Sequence, residues 1–318
     1  MPNVLNLIGQ TPLVYLDRLA KQHGLKSSRR VRIAAKCEFR NPGGSIKDRP
    51  ALGIIDRAEA AGELQKGRPV IELTSGNFGT GMAIVCRAKG YPFTAVMSTG
   101  NTPERARMMR ALGARVELVK QAPGSPPMQV SGKDLELVEK RTLELVKELD
   151  AFRADQFRDP GTITAHRHTG EEIWSQSRRK ATHFCCSIGS AGSFTGISQF
   201  LKTVQPGVQC VALEPATARV LAGKKITNAS HVIQGTGYSK VPPAFDKRLA
   251  DGYAGVTNDE ALTVARELAE VEGLFVGISS GANVAGALAM AETAPAGSLI
   301  VTLLCDTGLK YLSTNLFP

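Results

Sequence analysis

"VRIAAKCEFRNPGGSIKDRPALGIIDRAEAAGEL" (Val31–Leu64) holds an apolar run, a glycine-rich turn and a helical stretch in direct succession. The run Val31–Phe39 reads as a strand. The stretch from Arg49 reads as a helix, with Pro50 in its first turn, where a missing N–H costs nothing. Lys47 sits between turn and helix, next to Asp48 and Arg49. A surface lysine needs no such setting, whereas a nucleophilic one does. Taken alone, the stretch reads better as an ordinary βα loop with a solvated lysine.

The same strand–turn–helix succession recurs outward from it. "PVIEL" (69–73) is followed by "TSGN" and by a helical "FGTGMAIVCRAKG" closed at Gly90. "FTAVMS" precedes a helix with Thr102 as its cap, Pro103 at its first position and Gly113 at its end. "RVELV" follows, then a loop at 121–132 and a charged helix to about Leu149. Further on, "HFCCSI" (183–188) leads into "GSAGSFTG" and a helix to Val204, and "VQCVALEP" is another strand. "TNDEALTVARELAEVEG" has a capping box in Thr257 and Glu260, and Gly273 ends it. "SLIVTLLCD" (298–306) is continuously apolar, as in a strand buried on both faces. The repetition implies an α/β fold of two lobes, each a mostly parallel twisted sheet covered by helices.

The 318 residues suit two domains, and 42% hydrophobic with 21% charged residues is a globular composition. The N-terminus lacks a basic region before a long apolar core, so a signal peptide is not expected. No apolar run reaches the ~18 residues of a membrane span. The six cysteines form no CxxC and the five histidines no paired ligand spacing, so no metal site is expected. Reduced thiols in a cytoplasmic protein are the economical reading. The net charge of +10 is spread along helices without a dense run. That argues against a nucleic-acid partner and for anionic small molecules at most.

In open α/β sheets, ligands settle at the carboxyl ends of strands, so the turns after strands carry the chemistry. The first such turn holds Lys47. The second, Thr74–Asn77, puts hydroxyls and free backbone N–H groups before a helix, which suits a carboxylate or phosphate. The third, Gly189, Ser190, Ala191, Gly192 and Ser193, is a loop of small residues whose amides can close around a phosphate. It is neither a Walker A loop nor a GxGxxG, which disfavours nucleoside triphosphates and weakens a dinucleotide reading. The fourth, Cys305–Gly308, offers the Thr307 hydroxyl. Each is ordinary by itself, as a helix cap or a tight turn. Together they match what pyridoxal 5'-phosphate needs: an amine, a phosphate nest and a partner for the ring nitrogen, with a carboxylate site for an amino acid beside them.

The chain resembles the fold type II pyridoxal-phosphate enzymes, in particular the cysteine synthase and cystathionine β-synthase family. The resemblance rests on "IGQTPLVYL", "NPGGSIKDR", "TSGNFG", "QF" at 156–157, "GSAGSFTG", "IQGTGY", "GISSGANVAGAL" and "CDTGLKYLSTNLF", in that order. It implies a fold like that of the tryptophan synthase β subunit, with a first lobe at 14–157 and a second formed by 1–13 plus 158–318. It implies that Lys47 is the Schiff-base lysine and that Asn77 bonds the cofactor's ring hydroxyl. Thr74, Ser75, Gly76 and Gln156 would hold the substrate carboxylate. Residues 189–193 would hold the phosphate, and Thr307 would face the pyridine nitrogen.

The implied activity is β-replacement on O-acetyl- or O-phosphoserine through an aminoacrylate, with sulfide as acceptor. A nitrogen or larger sulfur nucleophile, giving a 2,3-diaminopropionate-type or cystathionine-type amino acid, is the alternative. A cytoplasmic homodimer in amino-acid biosynthesis is expected, with no heme-binding or regulatory extension. Three segments depart from the family pattern: Ala191 stands where a glycine is usual, "RDPGTI" replaces "NPANP", and "GYSKVP" (237–242) replaces "GAGFIP". The last offers Tyr238, Ser239 and Lys240 beside the substrate. Lys240 there suits a phosphate ester as a point charge, and a lysine pointing to solvent is the plain alternative.

Overall fold

The computed structural model describes residues 2–125, 130, 132–229, 231–238 and 240–317. Residues 126–129 and 131 of the expected 121–132 loop lie outside them, as does Ser239. The chain runs β1 (Leu13–Tyr15), α1 (Asp17–Gln22), β2 (Arg32–Lys36), α2 (Asp48–Ala60), β3 (Val70–Leu73), α3 (Asn77–Lys89), β4 (Phe93–Ser98), α4 (Pro103–Ala111), β5 (Arg115–Val119), α5 (Gly132–Glu148), β6 (Phe152–Arg153), α6 (Gly161–Gln176), β7 (His183–Ser187), α7 (Gly192–Val204), β8 (Gln209–Pro215), β9 (Gly252–Val256), α8 (Asn258–Glu272), α9 (Ile278–Thr293) and β10 (Leu299–Leu303).

It divides into two compact units, Met1–Ile8 with Lys47–Thr162 and Gly9–Ile46 with Ile163–Pro318. The boundaries differ from those expected at 14 and 157. Strand β2 forms a parallel ladder with β10 from Leu299↔Arg32 to Leu303↔Lys36, which draws residues 9–46 into the second unit. Leu5 and Ile8 instead pack on the core of the first.

In the first unit, the parallel sheet has the order β5-β4-β3-β6. One face of it meets α2 and α3 through Ile54, Ile55, Met82 and Val85, and the other meets Val138 and Leu145 of α5. Strand β4 is buried along its whole length, which is why its sequence shows no polar alternation. Helices α2 and α3 approach closely at Gly81, where a Cβ would lie 3.0 Å from the Lys47 carbonyl oxygen. Gly90 ends α3 in the left-handed conformation. Thr102 stands at the head of α4 as the sequence implies, but its side chain makes no capping bond.

The second unit holds a six-stranded sheet, β1-β2-β10-β7-β8-β9, parallel except for β1 against β2. Strand β2 stops at Lys36, earlier than the apolar run suggests, and a 3₁₀ turn takes Glu38–Arg40. The buried Glu38 carboxylate explains the turn, since it accepts from Thr11 Oγ1 at 2.7 Å and from Asn41 Nδ2 at 3.0 Å. Helix α8 carries the expected capping box, with Glu260 N donating to Thr257 Oγ1 and Thr257 N to the Glu260 carboxylate. Among the described residues, no helix is long and apolar enough to cross a membrane.

Candidate active site

In the first unit, Lys47 is the residue just before α2, and its Nζ lies 3.3 Å from Gln156 Oε1. The turn after β3 begins with Thr74, which is buried and donates its N–H to Val96 O at 3.1 Å. The Thr74 methyl fills space that only a glycine at 79 leaves, because a Cβ there would stand 2.8 Å from it. Ser75 O accepts from Arg105 Nη1 at 3.3 Å, and Gly76 is the N-cap of α3, with Asn77 its first residue. No side chain caps α3 and no acid occupies its first turn. The start of the helix thus carries positive potential, which suits an anion.

The second unit contains the other two turns. Ala191, between β7 and α7, takes φ +69°, a left-handed conformation that costs an L-residue about 1 kcal/mol or more. Helix α7 likewise has no side-chain cap and no acid in its first turn. Gly189 is held against the 235–237 segment, where a Cβ would meet Gly235 O at 2.3 Å, and Gly237 N donates to Ile188 O. The segment expected at the substrate side therefore lies next to the small-residue loop. Lys240 and Tyr238 are exposed there, and both line a small cavity that Glu214 also borders. After β10, Thr307 N donates to Gly44 O, and the Thr307 methyl leaves no room for a Cβ at Gly44, which has φ +68°. Ile46 N donates to Cys305 O at 2.7 Å, so the residue before Lys47 is fixed to the end of β10. Burial pushes the Cys305 thiol up to about 12, which keeps it protonated and unreactive near neutral pH.

Two residues absent from the sequence-level site hold these turns. Glu72 of β3 is buried, and its carboxyl accepts from the backbone N–H groups of Asp155 and Gln156 at 2.9 and 3.5 Å. Burial is the main cause that raises its pKa to about 8, with Arg153 opposing the rise. Asn283 of α9 is completely buried. Its Oδ1 accepts from Ser187 N at 2.7 Å, and its Nδ2 donates to Leu303 O at 2.9 Å and to Cys305 Sγ at 3.3 Å. It clamps the ends of β7 and β10, the strands that lead into the two turns of this unit. A lone acid inside "VIEL" was a legible signal for Glu72, since buried acids need a reason.

Comparison with known proteins agrees with this chemistry. Residues 4–306 match the family model described as pyridoxal-phosphate dependent enzyme. The chain belongs to that family. It is 38% identical over 317 residues to O-ureido-L-serine synthase of Streptomyces lavendulae, covering 99% of this chain and 92% of the relative. It is 37% identical to cysteine synthase B of Salmonella typhimurium, covering 98% of this chain and 94% of the relative. The solved O-acetyl serine sulfhydrylase isoform 3 from Entamoeba histolytica superposes with a TM-score of 0.91 at 33% identity, over 100% of this chain and 91% of that one. The family's cofactor is pyridoxal phosphate, and the groups present here suit it. They are an amine at a helix head, a left-handed small-residue turn before an uncapped helix, and a threonine hydroxyl after a buried strand.

Proposed function

We propose that this pyridoxal-phosphate enzyme is cysteine synthase-like and replaces the activated oxygen of an O-acylated serine with sulfide. The observation that carries the reading is Lys47 at the head of α2 with its Nζ against Gln156, in the same unit as the uncapped start of α3. In this reading Lys47 Nζ holds the cofactor and, once released, takes the proton from the substrate Cα. The backbone at Gly189, Ser190, Ala191, Gly192 and Ser193 holds the phosphate, and the Thr307 hydroxyl faces the ring nitrogen. Asn77 meets the ring hydroxyl, while Thr74, Ser75, Gly76 and Gln156 take the substrate carboxylate. When bound, the cofactor supplies an aldehyde for the amine and a conjugated ring that takes up the electron pair released at Cα. A neutral hydroxyl partner leaves the ring nitrogen unprotonated, which favours early departure of the β-substituent over other reactions of the amino acid.

Sulfide is the first acceptor because cysteine synthases are so prominent among the relatives. A second reading, an oxygen nucleophile giving an O-ureido product, is favoured by the 38% identity to O-ureido-L-serine synthase. The solved O-acetyl serine sulfhydrylase of Entamoeba histolytica and O-acetylserine dependent cystathionine beta-synthase of Helicobacter pylori are named for O-acetylserine, which supports the acetyl over the phosphate ester. We place the working enzyme in the cytoplasm and as a homodimer; sedimentation at assay concentration checks the dimer.

The test is a screen of O-acetylserine and O-phosphoserine against sulfide, hydroxyurea, homocysteine and ammonia, with products read by mass. Cysteine from O-acetylserine is the expected result. No product from any pair would overturn the reading, and a single different acceptor would replace sulfide. Borohydride reduction of the yellow holoenzyme should leave the cofactor on the Lys47 peptide. If Lys240 binds a phosphate donor, Lys240→Ala loses roughly tenfold or more in kcat/KM for that ester alone.

A further inference from the structure

We propose that Glu72 is the positioning residue for the Lys47 amine, acting through the Asp155–Gln156 turn. The inference rests on the reading that Lys47 carries the cofactor. The ladder between β3 and β6 runs from Phe152 N to Pro69 O and ends with Ala154 N donating to Ile71 O. At the next residue the chain leaves the sheet, and Asp155 takes φ +36°, a left-handed conformation that a non-glycine holds only when its surroundings impose it. Here the Glu72 side chain replaces the strand backbone as acceptor, at 2.9 Å for Asp155 N and 3.5 Å for Gln156 N. Asp155 Oδ1 then accepts from Phe157 N at 3.3 Å, and Asp155 O from Arg158 N and Asp159 N, which completes the turn. The result places Gln156 Oε1 at the Lys47 Nζ.

A buried carboxyl is an expensive way to hold two amides, since desolvation costs it more than it costs a neutral amide. A glutamine of the same length would offer one acceptor and turn its NH₂ toward a backbone N–H. The charged groups acting on Glu72 are Arg153 and Asp155. Arg153 is itself held bidentately by Glu139 of α5, and Asp155 pairs with Arg158. Arg153 is therefore not spare to neutralise Glu72 fully, and the Asp155 charge opposes ionisation of Glu72. The oxygen that receives Asp155 N keeps that bond in either protonation state, while ionisation strengthens the longer contact to Gln156 N. Glu72, with its pKa raised by burial, makes the turn tighten as pH rises through about 8. The Lys47 environment changes with it.

The test compares wild-type holoenzyme with Glu72→Gln, Gln156→Ala and the double variant. Above pH 8, where Glu72 is ionised, amide exchange in the full chain should be about tenfold or more faster at Asp155 and Gln156 in Glu72→Gln than in wild type and unchanged at Val70–Leu73. The visible absorbance of the bound cofactor should lose its pH dependence near 8 in that variant. The rise in donor KM, on the order of tenfold, should vanish when Gln156 is already alanine, because the two residues act in series. Wild-type exchange, spectra and KM in Glu72→Gln would overturn the proposal, and so would an equal loss on both backgrounds. If Glu72→Gln does not fold, a wild-type cofactor spectrum that does not change between pH 7 and 9 overturns it instead. Borohydride labelling of a lysine other than Lys47 would sink the underlying reading separately, whatever Glu72 does.

Discussion

Replacing Asn283 by alanine should separate the two strand ends that lead into the turns of the second unit. The side chain has no exposed surface and three partners: Ser187 N, Leu303 O and Cys305 Sγ. Alanine leaves the Ser187 N–H and the Leu303 carbonyl without their partner, and each such group costs about 1–3 kcal/mol. The thiol contact is weak and adds little. A loss of about 2–6 kcal/mol is a large share of the roughly 5–15 kcal/mol that hold a typical protein folded. Urea unfolding followed by circular dichroism measures it as a lower midpoint with an unchanged slope. Asn283→Asp sharpens the test because it is nearly isosteric. It keeps the acceptor for Ser187 N but donates to Leu303 O only when protonated. Burial raises the folded pKa of the new carboxyl above the unfolded value of about 3.9. Its stabilisation is therefore present at low pH and disappears as pH rises through the folded pKa. Measured against wild type at each pH, Asn283→Asp should be close to it near pH 4 and should resemble Asn283→Ala at pH 8. A loss under about 1 kcal/mol in Asn283→Ala, or an aspartate variant indifferent to pH, would refute the clamp.

Gly81→Ala would put a methyl 3.0 Å from Lys47 O, 3.1 Å from Asp48 Cα and 3.2 Å from Ala51 Cβ. Backbone atoms cannot step aside cheaply, so unfolding free energy should fall by about 1–3 kcal/mol, and an unchanged urea midpoint would mean that α2 and α3 separate freely. Glu72 gives a pH-dependent stability of defined sign: its folded pKa of about 8 exceeds the unfolded value of about 4.3. Its contribution is full below the unfolded value and is lost as pH rises to about 8, so Glu72→Gln should lose less stability than wild type between about pH 5 and pH 8, whereas parallel curves would show that Glu72 is ionised throughout.

The alternation of strands and helices was legible because each signal is local. Apolar runs such as "FTAVMS" and the capping box at Thr257 and Glu260 need no distant partner to be read. Helix α9 was less legible as an element, because most of its side chains are buried and it shows no polar face with helical period. The unit boundaries escaped for a related reason. Nothing in "VRIAAK" says that its partner is β10 rather than the strands that follow it. That the four small-residue turns follow strands could be read from glycine and hydroxyl placement alone. Asn283 could not, and the lone acid in "VIEL" marks Glu72 without saying what it holds, since both act on backbone groups 83 and 96 residues away in the chain.

Strand β10 lies between β2 and β7, and its partner residues in β2 are roughly 270 positions earlier in the sequence, a separation that predicts slow folding. During synthesis the stretch Lys47–Thr162 emerges whole and has nearly all its own contacts available. The larger sheet must wait, with β1 and β2 already made and their hydrogen-bonding edge unmatched, until Leu299–Leu303 has been made. A chain that stalls or terminates before Leu299 keeps an intact small sheet and a permanently open large one. Such open edges invite pairing with other chains. The order of translation thus sets a window in which those edges stay exposed, and that window closes only when residues 299–303 slot into the middle of the sheet.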